Sequence, residues 1–284
     1  MILDGKALAA EVREKVKTDV AALFGATGVT PHLAVILIGD DPASQSYVKG
    51  KETACQKAGI RSTVIRETPV VTEARLLEII DSLNADSGVH GILLQLPIPK
   101  HLNPDKIISR IDKRKDVDGF TPENVAALAN GRPQLVPCTP KGVMRLLGKY
   151  AIPISGRQCV VVGRSQIVGK PMAALLLNAN GTVTICHSKT ADLRAETRRA
   201  DILVVAIGKT KMIDGTYVKP GAAVIDVGIS KVNGVIAGDV DYDSAAAVAG
   251  FITPVPGGVG PMTIACLLEN TLACCRGLIG ASHD

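Results

Sequence analysis

The feature that most constrains the fold is an apolar strand running into a glycine-rich turn and then a helix pattern, Val160-Val-Val-Gly163-Arg164-Ser165-Gln-Ile-Val-Gly169-Lys-Pro171. Such a strand–turn–helix unit points backbone N–H groups and a helix N-terminus at one place, which suits a pyrophosphate. The turn departs from the G-x-G-x-x-G fingerprint, because Ser165 holds the second glycine position and the last glycine comes one residue late, at Gly169. A plain structural turn is the alternative interpretation.

The strand that follows this turn lacks the acidic residue typical of NAD-binding sheets. Such a sheet carries Asp or Glu at the end of its second strand, about 20 residues past the turn. Here Ser188 and Lys189 stand at that place, and Arg164 lies in the turn itself. A hydroxyl and two cations suit a 2′-phosphate, which a carboxylate would repel. Either cation alone could be a solvated surface charge, but together with the missing acid they favour NADP.

The composition indicates aliphatic globular domains. The chain has 284 residues, enough for two domains, and its 46% of hydrophobic and 21% of charged residues exclude a disordered protein. With no Trp, three Phe and four Tyr, the cores must be aliphatic, as in parallel strands buried on both faces. The same shortage argues against single-stranded nucleic acid, which stacks on aromatic rings. A net charge of +5 with only short basic runs suits small anionic ligands instead.

Cysteine and histidine usage predicts a reduced, metal-free protein in the cytoplasm. The seven cysteines are odd in number and form no C-x-x-C motif, which is typical of buried thiols in a cytosolic protein. The adjacent Cys274 and Cys275 could be redox-active, although packing on the last helix is the favoured interpretation. No H-x-x-x-H spacing occurs, so no metal site is predicted. The absence of a signal peptide, a transit peptide or a run of eighteen apolar residues argues against a membrane partner.

Helix and strand patterns alternate almost throughout, which predicts an α/β fold with a parallel, helix-covered sheet in each half. Thr72 is expected to cap one helix, and Thr139 another that has Pro140 at its first position. Three prolines without periodicity place the domain boundary between Pro133 and Pro140. The predicted helices are Lys6–Leu23, Ala43–Ala58, Thr72–Asn84, Pro140–Tyr150 and about Pro261–Leu278; the predicted strands are His32–Gly39, Ser62–Arg66, Gly91–Leu96, Cys159–Val162, Thr182–Cys186, Ile202–Ala206 and Ala223–Val227.

Four polar residues of the N-terminal half are candidates for chemistry. Tyr47 and Lys51 are four apart on a predicted helix and share a face, although a lone helical lysine is usually a solvated cation. Gln95 ends an apolar strand, where its amide needs hydrogen-bond partners. A partner within the protein and a contact to a ligand are equally good interpretations. Asp118 lies in a loop, where capping of the next helix is the simpler interpretation.

A late loop is the other candidate. Between residues 253 and 263 the chain has three prolines and three glycines, which fix an unusual backbone and allow close approach. The loop could be purely connective, but it opens directly into a helix.

Taken in order, spaced motifs along the whole chain resemble the bifunctional methylenetetrahydrofolate dehydrogenase/methenyltetrahydrofolate cyclohydrolase family. The joint occurrence of these motifs is far more specific than any one of them. They are Tyr47-x-x-x-Lys51, Gln95-Leu-Pro-Ile-Pro99, Lys115-Asp-Val-Asp118-Gly119, Gly163-Arg-Ser-x-Ile-Val-Gly169-Lys-Pro171, Asp226-Val-Gly-Ile229, Gly238-Asp-Val-Asp241 and Pro254-Val-Pro-Gly-Gly-Val-Gly-Pro-Met-Thr263.

The resemblance implies that 5,10-methylenetetrahydrofolate passes a hydride to NADP⁺ and that water then opens the methenyl product to 10-formyltetrahydrofolate. It implies Lys51 as the base toward water, with Gln95 orienting it and Tyr47 packing on the aminobenzoate ring. It implies a pterin contact for Asp118, whose carboxylate can accept two parallel N–H bonds. Leu96, Gly258 and Pro261 would also bind folate, and Gly163, Arg164, Ser165, Ser188 and Ile229 would hold the cofactor.

The implied architecture is two α/β domains facing across a cleft, the second a Rossmann-type dinucleotide-binding domain. Residues 1–138 plus 267–284 would form the folate-binding catalytic domain and residues 139–266 the NADP-binding domain. A homodimer through the cofactor domains is implied. The alternatives are a dehydrogenase without cyclohydrolase activity, perhaps NAD-linked, and a non-catalytic dinucleotide sensor. Formyltetrahydrofolate synthesis from formate and ATP would need a large extra domain that this sequence lacks.

Overall fold

The protein, described from a computed structural model that covers residues 1–232 and 234–280, divides into two compact α/β units. A three-stranded unit comprises Glu11–Ala127, Gln134–Cys138 and the chain from Ile264 onward. A five-stranded unit comprises Met1–Ala10, Leu128–Pro133 and Thr139–Thr263. This division differs from the sequence-based one at residues 1–10, 128–133 and 264–266.

The N-terminal residues belong to the five-stranded unit because their backbone bonds to its sheet. The amino group of Met1 donates to the carbonyl of Gly250 at 2.6 Å, and the N–H of Leu3 donates to the carbonyl of Ile252 at 2.8 Å. No periodicity in a ten-residue segment predicts such a contact, since its partner lies about 250 positions away, beyond any local pattern.

The three-stranded unit is built on β1 (His32–Ile38), β2 (Arg61–Glu67) and β3 (Gly91–Leu94), all parallel, in the order β2-β1-β3. Every residue of β1 is buried, as expected for a central parallel strand. The helices of this part of the chain are α1 (Gly5–Thr27), α2 (Pro42–Lys57), α3 (Glu73–Ala85), α4 (Pro104–Ile108) and α5 (Pro122–Ala129). The Thr72 side chain accepts the N–H of Arg75 at 3.2 Å, so the expected cap of α3 is confirmed.

The five-stranded unit contains β4 (Gln158–Val162), β5 (Thr182–Cys186), β6 (Ile202–Val205), β7 (Ala223–Asp226) and, after a hairpin of β8 (Ser230–Val232) and β9 (Val235–Ala237), β10 (Phe251–Ile252). Its parallel sheet has the order β10-β7-β6-β4-β5. The helices are α6 (Cys138–Lys149), α7 (Gly169–Asn178), α8 (Leu193–Thr197), α9 (Tyr242–Ala246) and the start of α10 (Val259–Gly280). The fold is therefore α/β with parallel sheets, as predicted.

Two local predictions were wrong. β3 ends at Leu94 rather than Leu96, because Gln95 makes the last ladder bond, to the carbonyl of Ile36 at 2.9 Å, and Pro97 has no N–H to continue it. Helix α6 begins at Cys138, so Thr139 lies inside its first turn and is not the N-cap. The Thr139 hydroxyl instead bonds the Thr263 hydroxyl at 2.9 Å.

Among the described residues, one helix, α10, is long and apolar enough to cross a membrane by length and composition alone. More than half of its most apolar window is buried within the fold, with Leu268 and Leu272 in the core. Packing against the protein therefore accounts for its apolar character. All seven cysteines are buried free thiols, including Cys274 and Cys275 on this helix.

Candidate functional site

In both parallel sheets, chain order reverses beside the first strand, and ligands of open α/β sheets bind beyond the carboxyl ends of strands at such a point. In the three-stranded unit, β1 lies between β2 and β3, so the segments that follow β1 and β3 begin next to each other at the carboxyl edge of the sheet. In the five-stranded unit, β4 lies between β5 and β6. The sequence-predicted polar residues lie at these two positions.

Lys51 and Gln95 meet directly in the three-stranded unit. Helix α2, which follows β1, carries Lys51, and Gln95 follows the last residue of β3. The Lys51 ammonium donates to Gln95 Oε1 at 3.0 Å, and both side chains are partly buried. Gln95 Nε2 donates to the carbonyl of Leu96 at 2.6 Å, which fixes the amide with its oxygen toward the lysine. The lysine is therefore oriented by a neutral acceptor rather than by a carboxylate.

The loop that carries Asp118 is held beside β3 by buried polar contacts. Its backbone pairs with the strand, since the N–H of Ile92 donates to the carbonyl of Lys115 at 2.7 Å. The buried Lys115 ammonium donates to the carbonyls of Leu83, Asn84 and Asp86 at 2.7–2.9 Å. These carbonyls end α3, where a cation is favoured by the helix dipole.

Two aspartates of this loop have different roles. Asp116 is buried, and its Oδ2 accepts the N–H of Thr121 at 2.8 Å and the Asn124 amide at 2.9 Å, just before α5. Asp116, rather than Asp118, therefore ties this loop to the start of α5. No backbone N–H of the described chain donates to the Asp118 carboxylate.

Asp118 lies in an environment that disfavours its charge. Burial raises the pKa of its carboxyl to about 6; the Lys51 ammonium opposes this rise, and the Asp116 carboxylate adds to it. A hydrogen bond with the Cys138 side chain also lowers the pKa. Lys51, Gln95 and Asp118 thus form one cluster, in which Lys51 bonds to Gln95 and acts electrostatically on Asp118.

The other predicted folate contacts border this cluster or lie in the other unit. Tyr47 shares helix α2 with Lys51, one turn earlier, and is 45% exposed, so its ring is open to a ligand. Leu96 is partly exposed next to Gln95, and the Leu96–Pro97 bond is cis. Gly258 and Pro261 belong to the five-stranded unit, where Gly258 is buried and Pro261 lies in the first turn of α10.

The glycine turn after β4 is closely packed. Gly163 has φ +125°, and a Cβ there would lie 2.2 Å from the carbonyl oxygen of Ala206, so only glycine fits. Ser165 Oγ accepts the N–H groups of Val168 and Gly169 at 3.2 and 3.3 Å, directly before and at the start of α7. The residue at the second glycine position of the fingerprint therefore orders the turn through its hydroxyl.

The end of β5 presents a hydroxyl and a cation without an acid. Ser188 and Lys189 are exposed in the turn from His187 to Thr190, which is closed by the bond from the His187 N–H to Thr190 Oγ1 at 2.9 Å. Arg164 is exposed in the neighbouring turn after β4, the strand that pairs with β5. Within residues 1–232 and 234–280, neither Arg164 nor Lys189 makes an ion pair. Both cations are therefore available to an anionic ligand.

Two buried carboxylates of this unit were given no role by the sequence analysis, although both lie in the quoted motifs. Asp226 ends β7, three residues before Ile229, and Asp239 follows β9. Burial raises the pKa of the Asp226 carboxyl to about 6, with the N–H groups of Val240, Asp239 and Gly228 opposing the rise. Ile229 is 46% exposed. In the described part of the chain, no cluster of three or more His, Cys, Asp or Glu side chains could hold a metal ion.

Comparison with known proteins identifies two family domains that together span most of the chain. Residues 3–118 match the catalytic domain of tetrahydrofolate dehydrogenase/cyclohydrolase, and residues 137–277 match the NAD(P)-binding domain of the same family. The bifunctional protein FolD of Bordetella petrii is 57% identical over 272 residues, covering 95% of this chain and 92% of the relative.

Solved structures agree over nearly the full length. The bifunctional FolD enzyme of Campylobacter jejuni superposes with a TM-score of 0.96 at 49% identity, covering 98% of this chain and 99% of that one. The FolD of Trypanosoma brucei, solved with NADP and an inhibitor, superposes with a TM-score of 0.94 at 38% identity, covering 98% of each chain. By these matches and by the two domains it contains, the chain belongs to the tetrahydrofolate dehydrogenase/cyclohydrolase family of bifunctional, NAD(P)-dependent enzymes of one-carbon folate metabolism.

Proposed function

We propose that Lys51, oriented by Gln95, is the base of the cyclohydrolase step and that Asp118 holds the pterin. The enzyme oxidises 5,10-methylenetetrahydrofolate to 5,10-methenyltetrahydrofolate and then hydrolyses this product to 10-formyltetrahydrofolate. The observation that carries the residue assignment is the 3.0 Å bond from Lys51 Nζ to Gln95 Oε1, together with the electrostatic effect of this ammonium on the partly buried Asp118. A structural lysine in this unit, Lys115, is satisfied by three carbonyls, whereas the Lys51 ammonium bonds, within the described chain, to the Gln95 amide oxygen alone.

The chemistry follows from charge. The methenyl product is a delocalised cation, and a cation close to an ammonium group favours loss of the ammonium's proton. The neutral amine of Lys51 can then accept a proton from the water that attacks the methenyl carbon. Gln95 suits this role because its neutral amide accepts from the lysine without adding the negative charge that would hold the proton in place.

Asp118 supports binding rather than proton transfer. Its ionised carboxylate has two oxygens that can accept parallel N–H bonds from the 2-amino-pyrimidinone edge of the pterin. Because Asp116 makes the polar contacts at the start of α5, the Asp118 carboxylate is not committed to the backbone of that helix. Tyr47 packs on the aminobenzoate ring, and Leu96 adds apolar contact. The roles that the resemblance implies for Gly258 and Pro261 stay predictions.

The residues after β4 and β5 fit NADP. Gly163, Arg164 and Ser165 form the turn that receives the pyrophosphate, Ser188 binds the 2′-phosphate together with Lys189 and Arg164, and Ile229 contacts the nicotinamide half. When bound, NADP⁺ supplies the hydride acceptor. The fit rests on two exposed cations without an ion-pair partner in the described chain and on the absence of an acid between Cys186 and Thr190.

Cofactor preference tests this assignment. NADP⁺ should exceed NAD⁺ in kcat/KM, because each charge-assisted contact to a phosphate contributes on the order of 1.5–3 kcal/mol, roughly 10- to 100-fold. R164M should lower kcat/KM for NADP⁺ and leave that for NAD⁺ unchanged. The same substitution at Arg199, which pairs with Glu196 at 3.4 Å, serves as the matched control. Equal efficiency with both cofactors in the unmodified enzyme would contradict the assignment.

The assembly that we expect is a homodimer through the five-stranded units. Strand β5 is the edge strand of its sheet, and edge strands that expose apolar side chains can pair with another chain. Ile185 on this strand is 40% exposed, and Leu177 on α7 is 61% exposed. I185K should therefore shift the mass measured by light scattering from dimer to monomer, whereas V70K, which replaces an apolar residue of the three-stranded unit that is 80% exposed, should not.

The proposed domain division is the one drawn from the sequence, residues 1–138 plus 267–284 for folate and residues 139–266 for NADP. The proposed compartment is the cytosol, supported by seven buried free thiols. An assay with methylenetetrahydrofolate that follows both reduced cofactor and methenyl absorbance tests the whole proposal. Formation of reduced cofactor without later loss of methenyl absorbance would indicate a dehydrogenase without cyclohydrolase activity. No formation of reduced cofactor would indicate a protein that only binds the dinucleotide.

A further inference from the structure

We propose that Asp226 and Asp239 are positioning residues for the dinucleotide, holding the loops after β6 and β7 in the shape that the cofactor requires. The inference rests on the proposed NADP site and deepens it. Neither carboxylate is exposed enough to be a catalytic residue: Asp226 is 4% exposed and Asp239 is 0% exposed. They act on the cofactor through the backbone that they fix.

Asp239 fixes the loop after β6. Its Oδ2 accepts the N–H groups of Ile207 and Gly208 at 2.7 and 2.9 Å, although Asp239 lies more than thirty residues further along the chain. Ala206, next to Ile207, is the residue whose carbonyl oxygen lies against the glycine turn, 2.2 Å from where a Cβ of Gly163 would be. A shift of the loop after β6 would therefore move the packing surface of the pyrophosphate turn.

Asp226 fixes the loop after β7 and the start of the segment that carries Asp239. Its Oδ1 accepts the N–H groups of Gly228 and Asp239 at 2.9 and 3.0 Å, and its Oδ2 accepts the N–H of Val240 at 2.9 Å. Its own N–H donates to Thr253 Oγ1 at 2.8 Å. Gly228 directly precedes Ile229, so the same carboxylate sets the backbone from which the predicted cofactor contact projects.

The two carboxylates are also packed against each other's loops. A Cβ at Gly228 would lie 2.2 Å from the Asp239 Cγ, and a Cβ at Gly238 would lie 1.9 Å from Asp226 Oδ2. Each carboxylate that holds one loop is therefore in close contact with the backbone beside the other carboxylate.

The burial of these two carboxylates is unfavourable for stability, which distinguishes them from ordinary core residues. In the described residues, no lysine, arginine or histidine bonds to either carboxylate, and Asp239 Oδ1 is buried without a hydrogen-bond partner. A buried charge without a counter-ion is unfavourable, and an uncharged acceptor would satisfy the same N–H groups at a smaller desolvation free energy. What a carboxylate adds is charge-assisted bonding, about twice as strong as neutral bonding, and hence a more rigid backbone at both loops.

The test separates positioning of the cofactor from stability of the unit. D239N retains the shape and one oxygen for the two N–H groups but removes the charge, so we expect the KM for NADP⁺ and the Kd for NADPH to rise about tenfold. The cyclohydrolase kcat/KM on methenyltetrahydrofolate, measured without dinucleotide, should stay at the wild-type value because it depends on Lys51.

The matched control is D201N in the same unit. Asp201 also accepts a backbone N–H, that of Gln158 at 2.9 Å, and pairs with Lys219 at 2.7 Å, but it lies directly before β6, at the amino end of the sheet. D201N should lower Tm and leave the KM for NADP⁺ unchanged. Equal changes in KM for D201N and D239N at equal loss of Tm would show that stability alone is responsible and overturn the proposal.

A second variant guards against failure of D239N to fold. D226N keeps the side-chain shape but loses the charge and one acceptor oxygen, and it should raise the KM for NADP⁺ with cyclohydrolase activity intact. A folded D239N or D226N with wild-type affinity for NADPH would overturn the inference, provided that the unmodified enzyme shows dehydrogenase activity. Loss of NADP⁺-dependent turnover in the unmodified enzyme would instead contradict the proposed function.

Discussion

K51M should abolish the opening of methenyltetrahydrofolate by water while hydride transfer to NADP⁺ continues. Loss of a general base is worth about 10²–10⁴-fold in rate, and methionine keeps the length and apolar stem of the lysine side chain. Hydride transfer needs alignment of substrate and cofactor rather than a proton acceptor at this place. In an assay that starts from methylenetetrahydrofolate, methenyl absorbance should therefore rise and stay high instead of decaying.

K49M is the matched control for this experiment. Lys49 lies two residues away on the same helix and is exposed. Its replacement by methionine changes the charge and the side chain in the same way as K51M. Both activities of K49M should equal those of the unmodified enzyme. A K51M enzyme that hydrolysed the methenyl product at the normal rate would show Lys51 to be an ordinary lysine and would refute the mechanism proposed here.

The Gln95 contact gives a graded version of the same argument. Q95L removes the oxygen that accepts from Lys51 at 3.0 Å and leaves the ammonium in place. The amine then stays available but is no longer held in one direction. Cyclohydrolase activity should fall less in Q95L than in K51M, since orientation is lost and the base is not.

The parts of the fold that the sequence predicted are those governed by local pattern. The all-buried β1 and the alternation of strand and helix follow from apolar runs and periodicity within short windows. Thr72 was found as a cap because a cap and its partner are three residues apart. Thr139 has the same residue type before a proline, but its hydroxyl bonds Thr263, 124 residues away, and no local rule includes such a partner.

The same distinction applies to the site. The sequence predicted Lys51 on the helix that follows one strand and Gln95 at the end of another. The two strands are parallel neighbours, so the meeting of Lys51 and Gln95 across 44 residues follows from topology. The different roles of Asp116 and Asp118 could not be predicted in this way, because the two residues lie two positions apart in one loop. The contacts of Asp226 and Asp239 depend on where two glycines allow close approach, which appears only in three dimensions.

D118N should have the second large effect, a loss of folate binding. An ionised carboxylate can accept two N–H bonds from the pterin edge, each on the order of 1.5–3 kcal/mol, so the pair contributes roughly 10²–10⁴-fold to kcat/KM. An amide at this position would turn an N–H toward one of those donors. The KM for methenyltetrahydrofolate, measured in the cyclohydrolase reaction without cofactor, should rise by this order, whereas the Kd for NADPH should not change.

D116N provides the contrast within the same loop. Asp116 accepts the N–H of Thr121 and the amide of Asn124, so its loss should appear mainly as a lower Tm. If Asp118 were instead the structural residue of the pair, the two variants would exchange their phenotypes. Measuring Tm and KM on both enzymes distinguishes the two assignments without any assumption about the reaction mechanism.

The Asp118 carboxyl also predicts how folate binding depends on pH: binding should weaken as the pH falls. Burial raises the pKa of Asp118 to about 6, so the free enzyme carries the carboxylate above that pH and the neutral acid below it. Only the carboxylate can accept both N–H bonds, so the KM for folate should rise below about pH 6, by roughly tenfold for each further pH unit. D118N has no group to titrate there, and its KM should stay flat over the same range. A wild-type KM that did not change between pH 7 and about pH 5 would separate Asp118 from pterin recognition.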